Sequence, residues 1–223
     1  MLSFVFVYRN IMLENEKLNL MSRLSSEISD ARVIRAMERV SREYFVPQHI
    51  RMKSYDDIPL PIGEGQTISQ PYIVALMLKS LNLKSTDKVL EVGTGSGYQA
   101  AVLAELVSDV ITVERIDTLA ESARIRLSNL GYTDVKVFNS EKNKIGWEKD
   151  APYDGIIVAA GAPKLHPELM SQLAIGGRLV MPVGSMETQE LMKISKSKNS
   201  YSVKNLGYCS FVPLVGDGAW PGN

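Results

Sequence analysis

Residues 91–97 read EVGTGSG, with glycines at 93, 95 and 97 and an acid, Glu91, ahead of the first. Glycine lets a backbone turn sharply or approach a ligand where a Cβ would clash. Here the loop, with Thr94 and Ser96 between its glycines, joins an apolar run, KVLEV, to a helix-like one, YQAAVLAELV. About 20 residues further on, Glu114 closes the run VITVE, and a carboxylate at the end of a second strand can accept hydrogen bonds from both hydroxyls of a ribose. The pattern is G-x-G-x-G; the dinucleotide fingerprint needs a glycine where Tyr98 stands. The loop therefore favours S-adenosylmethionine over a nicotinamide dinucleotide.

A second stretch, GQTISQP at 65–71, sets two hydroxyls, Thr67 and Ser69, just before Pro71 and an apolar run. From the residues alone Ser69 reads as the N-cap of the helix that Pro71 opens. Cysteine occurs once, as Cys209, and histidine twice, as His49 and His166. With no HExxH or cysteine cluster, no metal site is expected, and a single chain can form no disulfide. A reducing cytoplasm suits this usage. Lys plus Arg and Asp plus Glu stand at 25 each, so no global field favours nucleic acid or an anionic membrane. An oligomer is left open.

The elements that must position these residues follow from periodicity. Asp30 can cap a helix whose apolar stripe is Val33, Ile34, Met37 and Val40. A long irregular stretch from about Phe45 to Ser69 is expected to be functional, and a helix follows with Ile73, Val74, Met77, Leu78 and Leu81 on one side. From Lys88, strands KVLEV, VITVE, VKVF, GIIVAA and RLVMPV alternate with helices, which implies a parallel sheet covered on both faces. ELMKISK, YSVKNLGY and SFVPLV read as closely spaced strands that end the sheet in antiparallel fashion. Lysine-rich KISKSKNSYSVK reads as a solvated edge. The apolar start, MLSFVFVYRN, is too short to span a membrane and reads as an added strand or a tail, with Met12 opening a polar helix.

Several longer segments carry a family resemblance: MERVSREYFVP (37–47), YDDIPLPIGEGQTISQP (55–71), KVLEVGTGSGYQAAVLAEL (88–106), VER (113–115), APYDGIIVAAGAP (151–163), GGRLVMPVG (176–184) and FVPLVGDGAW (211–220). The chain resembles the protein-L-isoaspartate (D-aspartate) O-methyltransferases. That resemblance implies an α/β, Rossmann-like class I S-adenosylmethionine-dependent methyltransferase: a mostly parallel sheet, antiparallel C-terminal strands and an N-terminal helical cover. Residues 1–29 would be an N-terminal extension and helix, 30–82 cover helices and active-site loop, and 83–223 the Rossmann-like core, 30–223 forming one domain. The implied activity is methyl transfer to the free α-carboxylate of isoaspartyl residues in damaged proteins and peptides.

The resemblance also implies roles. Ser69 matches the active-site serine, with Thr67 and Ile68 on the cofactor side. Cofactor contacts would come from Glu91, Gly93, Thr94, Gly95, Ser96, Gly97, Glu114 and Arg115, and substrate contacts from Tyr72, Val212 and Leu214. Two positions depart from the family pattern. Tyr72 stands where histidine is frequent, and Glu141, Lys142 and Asn143 stand where Gly-Asp-Gly commonly binds the adenine amino group. Lysine cannot accept a hydrogen bond, so either Glu141 takes the acid's place after a one-residue slip or backbone groups suffice. AAGAP after the fourth strand lacks the Asn/Asp-Pro-Pro-aromatic motif of amine-directed methyltransferases, which argues against nitrogen acceptors.

Overall fold

A computed structural model describes residues 2–141 and 144–221, with side chains from residue 8 onward. The apolar start is helical rather than a strand or tail: α1 runs Leu2–Ile28. Leu13, Leu20, Met21, Leu24 and Ile28 are buried at helical spacing, and a helix nucleated by that face propagates outward at one hydrogen bond per added residue. It packs on α2 (Ala31–Arg39). Asp30 caps α2 as expected, accepting from the amides of Arg32 and Val33 at 3.0 and 3.2 Å.

The stretch 45–69 is not structureless. Two short 3₁₀ turns, Arg42–Phe45 and Gln48–Lys53, lead into an antiparallel hairpin of β1 (Leu60–Gly63) and β2 (Gln66–Ile68). Gly63, Glu64 and Gly65 all take positive φ at its tip, which two glycines permit at little steric cost. Helix α3 (Pro71–Leu81) follows after two intervening residues.

Then the β–α rhythm begins: β3 (Lys88–Val92), α4 (Tyr98–Ala104), β4 (Asp109–Glu114), α5 (Asp117–Asn129), β5 (Lys136–Asn139), β6 (Tyr153–Val158), α6 (Pro167–Gln172), β7 (Leu173–Gly184), β8 (Gln189–Lys196) and β9 (Tyr201–Cys209). One seven-stranded sheet has the order β5-β4-β3-β6-β7-β8-β9. It is parallel from β5 to β7 and antiparallel across β7–β8 and β8–β9. The order reverses between β3 and β6, and that switch point is where an open α/β sheet leaves a crevice beyond its strand ends.

SFVPLV, expected as a last strand, is irregular. Proline at 213 has no N–H for a ladder, and only isolated bridges, Gly161 to Pro213 and Val215 to Trp220, form there. The segment instead threads back to the stretch just after β6, with the Gly161 amide donating to Val212 and the Leu214 amide to Gly161, both at 2.8 Å. Among the described residues no helix is long and apolar enough to cross a membrane.

Candidate active site

At the crevice, the glycine loop is fixed by its own β–α–β unit. The Gly93 amide donates to the Val113 carbonyl at 2.9 Å, and the Gly95 amide to Glu114 Oε2 at 2.9 Å. Glu114 Oε1 accepts from the amides of Arg115 and Ile116 at 2.9 and 3.0 Å. Three backbone donors thus aim one carboxylate at the end of β4, leaving lone pairs for a ligand. Arg126 of α5 donates to the Ser96 carbonyl at 2.7 Å.

Beneath the loop runs a buried chain of side chains. Thr112 Oγ1 donates to Glu91 Oε2 at 2.5 Å and lies 2.6 Å from Thr94 Oγ1. The Thr112 proton is committed to Glu91, so Thr94 is the donor in the second contact. Burial first, with the neighbouring charge of Glu114, pushes the Glu91 carboxyl up to about 8, against the Thr112 hydrogen bond. Glu91 Oε1 and Gln99 Nε2 are buried with no protein partner among the described residues.

The β1–β2 hairpin reaches over this loop as a strap. A Cβ on Gly95 would sit 3.3 Å from Ile62 Cδ1, so glycine lets the two pack closely. At the tip Thr118 Oγ1 donates to Glu64 Oε1 at 3.1 Å. Between strap, loop and the 212–215 segment lies a cavity of about 380 Å³, within the range of small-ligand sites. Its lining includes Thr67, Ile68, Ser69, Glu91, Gly93, Thr94, Gly95, Ser96, Glu114, Arg115, Val212 and Leu214.

Three expected residues lie elsewhere. Gly97 caps α4 at φ +87, and a Cβ there would meet Leu127 and Ala123; it serves packing against α5. Tyr72 is half-buried against the apolar core. Glu141 is exposed and ion-paired with Lys149 at 2.6 Å, a hydrogen bond that holds its carboxyl below the usual range. At that end the cavity meets Ser140, Lys144, Ile145 and Gly146; Lys142 lies outside the described residues.

Ser69 is not the helix cap. The N-cap of α3 is Gln70, without a side-chain cap bond, and Asp57 accepts from the Tyr72 amide at 2.8 Å instead. Among the described residues no hydrogen bond uses the Ser69 hydroxyl. The sequence reading missed Asp57, Gln99, Arg42, Met186 and Ile62. Of these only Gln99, a lone amide in the apolar helix YQAAVLA, carried a visible signal.

Residues 14–219 match the family model for Protein-L-isoaspartate(D-aspartate) O-methyltransferase. A Marinobacter nauticus relative named Protein-L-isoaspartate O-methyltransferase 2 is 53% identical over 196 residues, 87% of this chain and 89% of its own. A Protochlamydia amoebophila Protein-L-isoaspartate O-methyltransferase is 51% identical, over 86% and 92% respectively. A solved protein-L-isoaspartate O-methyltransferase superposes with TM-score 0.82 at 25% identity, over 91% of this chain and 67% of that one. A Plasmodium falciparum structure in complex with S-adenosyl-L-homocysteine gives TM-score 0.75 at 28% identity, over 87% and 95%.

Proposed function

Because the chain belongs to the protein-L-isoaspartate (D-aspartate) O-methyltransferase family, we infer that it is a protein-repair enzyme. It transfers a methyl group from S-adenosylmethionine to the free α-carboxylate of L-isoaspartyl residues in damaged proteins and peptides. The resulting ester collapses to a succinimide, which reopens in part as normal aspartate. The observation that carries this reading is the meeting of Ser69, the glycine loop and Glu114 on one cavity.

The donor set fits the cofactor. Glu114 supplies acceptors suited to ribose hydroxyls. The unpartnered Gln99 Nε2 is a donor in the cavity lining, suited to a carboxylate, and the unpartnered Glu91 Oε1 becomes an acceptor when an ammonium on the same ligand draws the proton off its carboxyl. When bound, S-adenosylmethionine supplies an electrophilic methyl group on a positively charged sulfur.

The protein's own task is then positional. An ordinary carboxylate acceptor, with a pKa near 4, is already ionised at neutral pH, so no general base is demanded. Ser69 offers a free hydroxyl to orient that carboxylate or its backbone. Ile68, Val212 and Leu214 supply apolar wall, and holding the reactants in line while excluding water accounts for rate. The small residues Ala159 and Ala160 leave room for a peptide backbone. A cytoplasmic setting and the absence of a nucleic-acid partner belong to the same reading, supported by the single cysteine and balanced charge.

The test is transfer of labelled methyl to a peptide pair, one isoaspartyl and one normal aspartyl, by wild type and Ser69→Ala. Base-labile label on the isoaspartyl peptide alone, reduced about 10- to 100-fold by Ser69→Ala, is the expected result. Full activity in Ser69→Ala would remove the serine from the reaction. Label on neither peptide, with cofactor bound, would overturn the acceptor.

A further inference from the structure

We propose that Asp57 and Arg42 are positioning residues for Ser69, fixing its hydroxyl relative to the glycine loop; the proposal rests on the role given to Ser69 above. Neither residue lines the cavity. Ser69 stands between the end of β2 at Ile68 and the start of α3 at Pro71, so no ladder or helix bond of a regular element holds it. What fixes its carbonyl and its neighbours therefore fixes its side chain.

Arg42 holds the carbonyl. Its Nη2 donates to Ser69 O at 2.8 Å and its Nε to Ser54 O at 2.8 Å. The guanidinium lies 4.9 Å from the centre of the Tyr98 ring, and Tyr98 is the first residue of α4, directly after the glycine loop. One group thus spans the strap and the helix that issues from the loop. Arg42 is only 1% exposed. A buried guanidinium is a poor route to stability compared with an apolar side chain of similar size, which points to a role in geometry.

Asp57 holds the next residues. Its Oδ1 accepts from the Tyr72 amide at 2.8 Å and its Oδ2 from Gln70 Nε2 at 3.1 Å. Oδ2 is also 3.1 Å from Arg23 of α1, which ties this bracket to the N-terminal helix. By satisfying the first turn of α3 from 15 residues upstream, Asp57 relieves Ser69 of the capping duty its position would otherwise give it. The hydroxyl is left for the substrate.

The experiment compares Asp57→Ala, Asp57→Asn and Asp30→Ala in steady-state kinetics, thermal unfolding and calorimetric titration with S-adenosylhomocysteine. Asp57→Ala is expected to lower kcat about 10- to 100-fold, the scale of a misplacement near 1 Å, with Kd for the cofactor product held within about threefold. Asp57→Asn keeps an acceptor for the Tyr72 amide and should recover kcat to within about threefold. Asp30→Ala removes the cap of α2, which lies away from the cavity; it should lower Tm, as Asp57→Ala does, and leave kcat unchanged.

The decisive arm is Asp57→Ala in a Ser69→Ala background. If Asp57 acts through Ser69, the double variant is no slower than Ser69→Ala. Additive losses, or an Asp57→Ala enzyme with full kcat, would overturn the proposal. Full activity in Ser69→Ala alongside an impaired Asp57→Ala would also overturn it while leaving methyl transfer intact. A wild type inactive on isoaspartyl peptide would overturn the reaction itself and the proposal with it.

Discussion

The glycine loop and the strap line one cavity, yet they are held in place differently. The hydrogen bonds on the loop run to the elements that directly follow it: Val113 and Glu114 end the next strand, and Arg126 lies on the helix after it. The strap is tied to Arg42 and Asp57 on irregular stretches before it, to Arg23 on α1 through Asp57, and to Thr118 on α5. A part stabilised by its neighbours in sequence serves binding, where a fixed shape suffices. A part stabilised from many directions can bring a reactive group over a ligand already seated. Substitutions on the loop should accordingly act on cofactor affinity, and substitutions on the strap on turnover.

The largest effect that would sharpen this contrast is expected at Glu114. Glu114→Ala removes the acceptor for three backbone amides and, with it, the acceptors proposed for the ribose hydroxyls. Charge-assisted bonds are worth roughly 1.5–3 kcal/mol each, so affinity for S-adenosylhomocysteine should fall about 1000-fold by calorimetry. A change below about threefold would break the contrast, because the loop's acid would then have no part in binding.

Glycine substitutions compare the regions by stability. Gly97 has φ +87, and an added Cβ would meet Leu127 at 3.3 Å. Gly97→Ala should therefore cost about 2–4 kcal/mol in denaturant unfolding, left-handed strain and overpacking combined. Gly65 has φ +68 with nothing within 4 Å of the added atom, and Gly65→Ala should cost only about 1–2 kcal/mol. Equal losses would mean that the strap tip is packed as tightly as the loop.

The same division decided what the sequence revealed. Glycines 93, 95 and 97, Glu114 and the alternation of strands and helices are short-range patterns, and the loop, the sheet and its antiparallel end follow from them. Ser69 could be placed near the cofactor only through resemblance; its residues alone read as a cap, and that reading fails because Asp57 occupies the duty from a distance. Arg42 is one arginine in a polar run, and nothing in its neighbourhood foretells a buried guanidinium. SFVPLV reads as a strand from its apolar residues although it contains Pro213, but Val212 to Val215 line the cavity instead of joining a ladder. The start at 2–10 reads as a strand or tail because its helix is anchored further along, by the buried residues Leu13, Leu20, Met21, Leu24 and Ile28.

An effect spread over several pH units tests the loop's floor. Folded, Glu91 keeps its proton up to about 8; unfolded, an ordinary glutamate loses it near 4. Between these values the folded chain binds the extra proton, so stability falls as pH rises, by up to about 1.4 kcal/mol per pH unit for one group. Glu91→Gln carries no such proton. Its stability relative to wild type should rise from about pH 4 to pH 8 and level off above, in denaturant titrations without cofactor. A pH-independent difference would mean that Glu91 is ionised in its pocket.

The smallest effect concerns the cavity's third side, near residues 140–147. There the customary Gly-Asp-Gly is absent, and the substitute considered from sequence, Glu141, points its charge at Lys149 in solvent. The backbone that follows is shaped from α6: Glu168 accepts from the Ile145 amide at 3.0 Å and Gln172 from the Trp147 amide at 2.8 Å. Those amides are already spent, and the side is built by long-range ties, as the strap is. Glu141→Ala should therefore leave affinity for S-adenosylhomocysteine within about twofold, the scale of an exposed ion pair. A tenfold loss would show that Glu141 leaves Lys149 to reach the ligand, and this side would then bind through an acid next to its own strand, as the glycine loop does.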